Sequence, residues 1–415
     1  MSGIYRIHIT GDDRPGLTAA LTAALARYGV EVLDINQADI HEFLLLGMLI
    51  RIPEGETAEW VLDDLRATAG GLGLKVKTAQ IDDAQYEHWV AAQGKPRYIV
   101  TLLARKITAD RIAQVAQAIW EQGLNIDRMT RLSGRPSLQA SAAPQRACVE
   151  LSLRGEPADE DAMHARLMHL SRHIDADVAW QLDNAYRRTR RLACFDMDST
   201  LIQAEVIDEL AAEAGVGEQV KAVTEQAMRG ELDFDQSLQK RVAQLEGLDE
   251  AALQRVAHRL ELTEGAETLM ANLHEFGYKT AILSGGFGYF GRHLQQRLEV
   301  DYVCANELEI VDGKLTGRVK GPIVNGQRKA ALLKELAEKE GIKLEQVVAV
   351  GDGANDLPML GAAGLGIAFH AKPIVQQTAE HQISTLGLDA ILYMLGMRDR
   401  DLIQDAARPV ESSQT

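Results

Sequence analysis

The stretch that decides the fold is Cys194-Phe195-Asp196-Met197-Asp198-Ser199-Thr200. It completes an apolar run that begins at Leu192, and such a run predicts a short strand buried on both faces of a parallel sheet. Asp196 falls where that strand ends. In open α/β sheets ligands bind outside the carboxyl ends of the strands, so a carboxylate at this position faces a cleft. The stretch therefore predicts an α/β fold with a functional carboxylate at one edge of the sheet.

A second acidic turn lies far along the chain, at Gly351-Asp352-Gly353-Ala354-Asn355-Asp356. It follows the apolar run 347–350, which repeats the arrangement of a strand followed by an aspartate. We therefore expect Asp196, Asp198 and Asp352 to crowd into one small volume. Like charges so close are unfavourable unless something neutralises them, and a hard divalent cation does so. Mg²⁺ fits best, because it prefers oxygen ligands and bridges carboxylates to substrate phosphates.

The carboxylates of this cluster are expected to divide two roles between them. We assign to the metal the side chains of Asp196 and Asp352 and the backbone carbonyl of Asp198. The carboxyl group of Asp198 is then left for proton transfer, first as an acid towards a leaving alkoxide and then as a base towards water. The alternative is that Asp-x-Asp-x-Thr forms an Asx-rich turn that caps the next helix.

Two further segments favour a phosphate site. Residues 279–283 form another apolar strand, which ends in Ser284-Gly285-Gly286-Phe287. There a hydroxyl and the amides of a glycine turn could hold phosphate oxygens. Lys329, which opens the helix-like run 329–339, can supply a compact positive charge to the same phosphate.

The order Asp196, Ser284, Lys329 and Asp352 resembles that of the haloacid dehalogenase superfamily. This resemblance spans the second half of the chain and implies a Rossmann-like parallel sheet with an aspartate nucleophile. Residues 205–264, between the first two motifs, show helical spacing of apolar residues. They are read as a small helical cap inserted over the sheet, where the substrate is chosen.

Two charged residues of this cap could recognise a zwitterion. Glu205 suits an ammonium group, and Arg241, with its planar guanidinium, suits a carboxylate. Met228 and Phe234 could form an apolar lid. The alternative is that the two charges are solvated helix residues and the two apolar side chains belong to the core of the cap.

The match to one family within the superfamily is closer. Residues 227–242, the segment Ser284-Gly285-Gly286-Phe287 and the turn 351–356 resemble the phosphoserine phosphatase family. The resemblance implies magnesium-dependent hydrolysis of O-phospho-L-serine to L-serine and phosphate through an aspartyl-phosphate, the last step of serine biosynthesis. It also implies the following roles: Asp196 as nucleophile, Asp198 as general acid/base, Glu205 and Arg241 on the amino acid, Ser284, Gly285 and Lys329 on the phosphate, Asn355 beside the substrate, and Asp356 and Thr200 in support.

Two other functions are weighed against this hypothesis. A related enzyme would hydrolyse a different phosphomonoester or transfer the phosphoryl group to an alcohol such as homoserine. A protein of another class would be a non-catalytic amino-acid sensor with a vestigial phosphatase half. The sensor is disfavoured because every position that the chemistry needs is occupied.

The first half of the chain predicts two ferredoxin-like βαββαβ repeats. The first repeat has predicted strands at 5–10, 30–40, 43–52 and 72–81 and helices at 15–28 and 57–69; the second has strands at 98–103, 125–132, 147–153 and 177–182 and helices at 109–122 and 159–172.

The turn 12–18 of the first repeat resembles that of ACT domains, which often bind amino acids. Gly16 would let the backbone approach a small effector such as serine at a helix N-terminus, and Asp13 lies beside it. The alternative is that Asp13 caps the helix and Pro15 occupies its first turn. The second repeat has Ala104-Arg105-Lys106-Ile107-Thr108 there, without Pro or Gly, and is expected to serve contacts within a homodimer instead.

Composition and charge limit the partners. At 415 residues the chain is too long for one ordinary core. A formal net charge of −16 argues against nucleic acid or an anionic membrane as a partner. Cys148, Cys194 and Cys304 are scattered singly, which predicts neither a disulfide framework nor a thiolate metal site. No apolar stretch approaches about 20 residues. We therefore expect a cytoplasmic protein.

These patterns divide the chain into domains. We expect an ACT-like domain at 1–82, a second at 96–183, a phosphatase domain at 188–396 with its cap at about 205–264, and a frayed polar tail at 397–415.

Three segments need a separate interpretation. Residues 82–96 and 183–191 are read as linkers, and the arginines of the second linker (187, 188, 190 and 191) as a solvated hinge.

The glycines at 286, 288 and 291 match the dinucleotide fingerprint G-x-G-x-x-G. No acidic residue lies convincingly in a following strand to bind a ribose, so we expect the third glycine to serve helix packing.

Overall fold

Three β-sheets organise the part of the chain that the structure describes, residues 3–138 and 145–403 of a computed structural model. The chain divides into two units, residues 1–95 and 96–415. Within the described ranges, no helix is long and apolar enough to cross a membrane.

The first unit holds one ferredoxin-like sheet with strand order β2-β3-β1-β4. Alternate residues of its central strand, Ile7 and Ile9, are fully buried beneath the first two helices, as the period of two in a half-buried strand requires. Its elements are β1 (Gly3–Asp12), α1 (Leu17–Ala26), β2 (Glu31–Ile40), β3 (Phe43–Ile52), α2 (Ala58–Gly71), β4 (Lys75–Ile81) and α3 (Asp83–Ala91).

The helix α3 corrects the expectation of a linker at residues 82–96. Asp82 begins this helix with a capping box, in which its side chain accepts from the backbone N–H of Gln85 at 2.7 Å. The helix has no buried residue. Its apolar residues do not recur along one face, so helical periodicity could not reveal a helix that depends on its cap.

The second unit begins with another four-stranded ferredoxin-like sheet, of order β6-β7-β5-β8. The predicted βαββαβ order is therefore confirmed in both repeats. The elements of the second repeat are β5 (Arg97–Ala104), α4 (Ala109–Glu121), β6 (Asn125–Arg131), β7 (Ala147–Arg154), α5 (Glu160–His173) and β8 (Asp177–Leu182).

The same unit contains a seven-stranded sheet of order β12-β11-β10-β9-β13-β14-β15. Its strands are β9 (Leu192–Phe195), β10 (Lys279–Phe287), β11 (Tyr302–Val311), β12 (Lys314–Lys320), β13 (Val347–Gly351), β14 (Leu365–Phe369) and β15 (His381–Ile383). All neighbours pair in parallel except β11 and β12, which form an antiparallel hairpin. The predicted α/β fold with a parallel sheet is thus confirmed.

Four helices form the cap predicted between the first two motifs. They are α6 (Val206–Glu213), α7 (Gly217–Met228), α8 (Phe234–Ala243) and α9 (Ala251–Arg259). The other helices, which accompany the sheet, are α10 (Ala266–Glu275), α11 (Gly288–Leu298), α12 (Gly326–Lys339), α13 (Leu357–Ala362), α14 (Pro373–Thr378) and α15 (Ile391–Met394).

The arginines of the expected solvated hinge do not share one environment. Arg187 and Arg190 are buried, whereas Arg188 and Arg191 are exposed. Arg187 pairs with Glu150 at 2.6 Å, and Arg190 donates to the side-chain oxygen of Gln181 at 3.1 Å. Burial, followed by the charge of Arg187, lowers the pKa of Arg190 to about 10. The hinge interpretation is therefore wrong for these two residues, which tie the second ferredoxin-like sheet to the strand before Asp196.

The expectation of a frayed tail is also wrong for residues 397–403. Leu402 is buried, and the backbone N–H of Ile403 donates to Asn272 at 2.9 Å. Asp399 accepts a hydrogen bond from the hydroxyl of Tyr393 at 2.5 Å. The remainder of the expected tail lies outside the described residues.

The third glycine of the fingerprint, Gly291, does serve helix packing. It is buried in α11, and a Cβ built there would lie 2.6 Å from Cγ1 of Val303 in the neighbouring strand. Only a glycine allows the helix to approach β11 so closely. The match to the dinucleotide fingerprint is thus explained by packing.

We expect Gly291→Ala to lower the free energy of unfolding by about 1–3 kcal/mol, because the added methyl group overpacks the helix against the sheet. Chemical denaturation monitored by circular dichroism would measure the change. Gly361→Ala is the matched control, since a Cβ at that helical glycine meets nothing within 4 Å. Equal effects of the two substitutions would contradict the packing explanation.

Candidate active site

Adjacent strands bring the predicted acidic motifs to one edge of the seven-stranded sheet. Asp196 follows β9, Ser284 lies near the end of β10 and Asp352 follows β13, and these three strands are neighbours. The backbone N–H of Asp196 donates to the carbonyl of Val350 at 2.9 Å, which continues the parallel pairing to the aspartate. The expected convergence of the motifs is therefore confirmed.

A tight turn after β9 fixes the orientation of both aspartates. Ser199 has a φ of 55°, in the left-handed region, so the chain reverses immediately after Asp198. The side chain of Asp196 accepts from the N–H of Met197 at 2.7 Å, and that of Asp198 accepts from the N–H of Val206 at 3.1 Å. Asp198 thus accepts from the N–H of the first residue of α6, but the N-cap of that helix is Glu205, so the capping alternative is met by this one contact alone.

A buried ammonium joins the two acidic turns. Nζ of Lys329 lies 2.8 Å from Oδ1 of Asp196 and 2.7 Å from Oδ1 of Asp356. Burial alone would lower the pKa of Lys329, but the charges of the two aspartates outweigh it and raise this pKa. Lys329 is therefore charged and fixed in the site. Asn325 holds the start of its helix by accepting from the N–H of Arg328 at 3.1 Å.

Three carboxylates could share a cation. Asp196, Asp352 and Asp356 each offer an oxygen, and these oxygens lie within 4.8 Å of one another. Burial and the neighbouring carboxylates raise the pKa of Asp352 to about 7 and that of Asp356 to about 6, the latter against the opposing charge of Lys329. Such destabilised carboxylates would be stabilised by a divalent ion, and an all-oxygen set suits Mg²⁺. The carboxylate of Asp198 is not part of this cluster.

Asp198 occupies a separate environment, which favours the protonated form of its carboxyl group. Burial, then the charges of Glu205 and Asp196, raise the pKa of its carboxyl group well above the usual value. A Cβ at Gly286 would collide with the Asp198 carboxylate, so only glycine leaves room for it beside the loop after β10. The site can therefore hold a protonated carboxyl group next to the loop expected to bind phosphate.

A cavity of about 470 Å³ opens over this edge of the sheet. Most of the residues predicted from the sequence line it: Asp196, Asp198, Glu205, Met228, Phe234, Arg241, Gly285, Asp352 and Asn355. The others do not line it but lie buried behind its wall: Thr200, Ser284, Lys329 and Asp356. Of these, Thr200 donates to Asp352 at 3.5 Å, and Ser284 accepts from the N–H of Gly286 at 2.9 Å.

The cap contributes opposite charges to the cavity. Oε1 of Glu205 accepts from the hydroxyl of Ser199 at 2.9 Å. Arg241 is largely buried, and its Nε finds no hydrogen-bond partner among the described residues. Burial lowers the pKa of this guanidinium, although the charges of Glu205, Asp208 and Asp198 oppose the shift.

The two apolar cap residues differ in exposure. A Cβ at Gly285 would lie 2.7 Å from the ring of Phe234, so the cap touches the loop after β10. Met228 is 81% exposed, although it lines the cavity. The alternative that Met228 belongs to the core of the cap is therefore wrong, and its position at the wall of the cavity agrees with the expected lid.

Sequence reasoning missed several residues of the site. Thr224, Asp208 and Lys372 line the cavity, and Asn306 fixes its floor by donating to the carbonyl of Gly285 at 2.8 Å. The signal for Lys372 was available, since it follows the strand β14 at the same edge of the sheet. No local pattern distinguishes the other three.

The expected effector turn belongs to the first unit and differs in detail from the capping alternative. Gly16, not Asp13, is the N-cap of α1, with a φ of 93° and no side-chain hydrogen bond to the first turn. Pro15 precedes the helix and is not in its first turn. In the second repeat Thr108 caps the equivalent helix by accepting from the N–H of Arg111. Of these two equivalent helices, α1 of the first repeat has no side-chain cap, whereas α4 of the second repeat has one.

Comparisons with known families agree with this organisation. Residues 193–361 match the haloacid dehalogenase-like hydrolases. Residues 5–79 and 97–181 each match an ACT domain family.

Curated proteins and solved structures resemble the chain over most of its length. Phosphoserine phosphatase SerB2 of Mycobacterium tuberculosis is 42% identical over 392 residues, which cover 94% of this chain and 92% of that protein. The phosphoserine phosphatase of Streptomyces coelicolor has the same identity and coverage. A crystal structure of a probable phosphoserine phosphatase from Vibrio cholerae, unliganded, superposes with a TM-score of 0.57 at 38% identity, covering 72% of this chain and 86% of that one. The chain therefore belongs to the phosphoserine phosphatase family of haloacid dehalogenase-like hydrolases, with two ACT domains before the hydrolase domain.

Proposed function

We propose that the protein is a magnesium-dependent enzyme that hydrolyses O-phospho-L-serine to L-serine and phosphate, the last step of serine biosynthesis, through an aspartyl-phosphate on Asp196. The observation that carries the proposal is the placement of Asp196 beside Lys329, at the floor of a cavity whose cap offers Glu205 and Arg241. A zwitterionic phosphate ester needs this combination of charges. The names of the related proteins support the same substrate.

The residues present fit a magnesium ion. We assign it to the side chains of Asp196 and Asp352 and the backbone carbonyl of Asp198, with Asp356 supporting Lys329. When bound, the ion would neutralise the carboxylates and stabilise negative charge on the phosphoryl group.

Two aspartates carry the proposed reaction. The Asp196 carboxylate attacks phosphorus, the bond from phosphorus to the serine oxygen breaks, and protonated Asp198 gives its proton to the departing alkoxide. Asp198, now a carboxylate, takes a proton from the water that attacks the aspartyl-phosphate. Phosphate leaves and the two side chains return to their starting states. The raised pKa of Asp198 supports its role as the acid in the first step.

Substrate recognition is assigned to groups that surround the nucleophile. Arg241 would bind the serine carboxylate, which provides the hydrogen-bond partner that its buried Nε lacks, and Glu205 would bind the ammonium group. Phe234 and Met228 would form the apolar wall around the serine carbons. The phosphate is assigned to the amide of Gly285, which lines the cavity, and to Ser284 and Lys329, which lie buried behind its wall; Asn355 would lie beside the substrate.

We expect Asp196→Asn to reduce phosphate release from phosphoserine by about a thousandfold or more, because the amide cannot form the covalent intermediate. Phosphate assays with Mg²⁺ would measure the loss, and a fluoroberyllate adduct on residue 196 of the unsubstituted enzyme would be found by crystallography. Asp312→Asn, at an exposed hairpin turn, is the control and should retain full activity. Undiminished turnover by Asp196→Asn would refute the proposed nucleophile.

We expect Arg241→Ala to lower kcat/KM for phosphoserine by about a hundredfold, chiefly through KM, because a buried contact to the substrate carboxylate is lost. For 4-nitrophenyl phosphate, which has no carboxylate, the loss should stay within about threefold. Steady-state kinetics on both substrates give the comparison, with the exposed neighbour Lys240→Ala as control. Equal losses on the two substrates would contradict a recognition role.

An amino acid such as serine is proposed as an effector of the first ACT domain. The turn at Gly16 leaves the first amides of α1 without a side-chain cap, and such amides favour a carboxylate. Asp13 lies in the same turn, with its N–H bound to the carbonyl of Glu42 at 2.7 Å. The match of residues 5–79 to the ACT family supports this assignment.

We also propose that the protein is a homodimer. The strand β2 is an edge of its sheet, and Val32, Ile35 and Ile40 on it are exposed. A long apolar edge strand is a surface that proteins usually cover.

We expect Gly16→Val to abolish most of any change in rate that serine causes, while turnover without serine stays within about twofold, because the side chain obstructs the uncapped amides. Initial rates over a serine titration measure the effect. Gly55→Val is the matched control, since Gly55 has a similar φ of 98° and equally open surroundings. If the two variants respond to serine alike, the effector lies elsewhere.

A further inference from the structure

A lysine that the proposed reaction does not use lies at the acidic end of the cavity. Lys372 follows β14, lines the cavity with Asp352 and Asn355, and its side chain is 61% exposed. Its Nζ lies 3.7 Å from Oδ2 of Asp352, which is an ion pair but longer than a hydrogen bond. The ammonium therefore has donors available for a ligand.

The side chains that line the cavity carry more negative than positive charges, so a cationic donor to a bound phosphate is needed there. Five carboxylates line its wall: Asp196, Asp198, Glu205, Asp208 and Asp352. Among the described lining residues, the lysines and arginines number two, Arg241 in the cap and Lys372 beside the acidic cluster. Lys329 is fully buried behind the wall and already pairs with two aspartates. A phosphate dianion entering this end of the cavity would thus meet Lys372 as its solvent-side cation.

The main chain under Lys372 is firmly held even though the side chain is exposed. The backbone N–H of Lys372 donates to the carbonyl of Asp352 at 3.2 Å. Two residues earlier, His370 has a φ of 43° and is held by its N–H to Ile383 at 2.8 Å and by its ring to the carbonyl of Leu386 at 2.9 Å. A non-glycine residue in this region persists only where surrounding bonds impose it.

The second ACT domain provides that support. Asp177, buried in β8, accepts from the backbone N–H groups of Ser384 and Thr385 at 2.9 Å each and from the Thr385 hydroxyl at 2.6 Å. Residues 383–386 in turn hold His370. The base of Lys372 is therefore fixed while its ammonium can move between Asp352 and a ligand.

We propose that Lys372 is a further substrate-contacting residue, whose ammonium binds a phosphate oxygen of the phosphomonoester and of the inorganic phosphate that is released. This inference rests on the proposed phosphatase function and adds a residue to it. A lysine that only neutralised Asp352 would affect the stability of the site and not the affinity for phosphate. The two roles therefore predict different measurements.

The test compares Lys372→Ala and Lys372→Arg with the unsubstituted enzyme and with Lys334→Ala, an exposed lysine elsewhere in the same unit. The assays are KM and kcat for phosphoserine and for 4-nitrophenyl phosphate, the inhibition constant of inorganic phosphate, and the Tm. We expect Lys372→Ala to raise both KM values and the phosphate inhibition constant by about tenfold, since a charge-assisted hydrogen bond is lost. The Tm should not change, and Lys372→Arg should restore most of the affinity.

Two results would overturn the inference. One is a phosphate inhibition constant that Lys372→Ala leaves within about twofold of the original value, which is less than loss of such a bond produces. The other is a lower Tm with no recovery in Lys372→Arg, which would assign the residue to structure alone. An enzyme that hydrolyses 4-nitrophenyl phosphate but not phosphoserine would refute the proposed substrate, while phosphate inhibition would still decide the role of Lys372.

Discussion

The buried ammonium of Lys329 is the constraint on which the rest of the site depends. It lies between Asp196 and Asp356, whose carboxylates follow different strands of the sheet. Removing a charged lysine from water is costly, and only good geometry with opposite charges offsets the cost. The ammonium also stabilises the carboxylates, because Asp352 adds a further negative charge within a few ångströms of Asp196 and Asp356. The ammonium of Lys329 thus offsets the negative charges of Asp196 and Asp356 at a place where burial would otherwise be unfavourable to them.

The two ACT domains, alike in topology, are integrated differently into the chain. The first belongs to a unit of its own, residues 1–95. The second shares a unit with the hydrolase domain and supplies buried polar contacts to it through Asp177 and Gln181. Buried polar groups that are fully paired specify one arrangement, since any shift leaves them unpaired. The second ACT domain is therefore a structural part of the catalytic unit as well as a relative of effector-binding modules.

The sequence predicted those parts of the site that follow from strand periodicity and the position of a strand end. Asp196 and Asp352 were found in this way because their strands are apolar and unbroken. Lys372 was missed because β14, with Gly366 as its second residue, gives a weaker signal. Composition also cannot tell a solvated charge from a buried one, so Arg187 and Arg190 were placed in water. Their partners lie elsewhere in the chain and become neighbours only in the fold.

The separation of the acidic residues along the chain has a consequence for biosynthesis. Lys329 contacts Asp196 although it lies 133 residues later in the chain (329 − 196). The strand that precedes Asp352 comes later still. An emerging polypeptide can fold its first ACT domain early, because that domain is a unit of its own and domains generally fold as units in order of synthesis. Asp196, in contrast, can meet Lys329 only when much of the last third of the chain has left the ribosome. Until then the nascent protein has no assembled phosphatase centre.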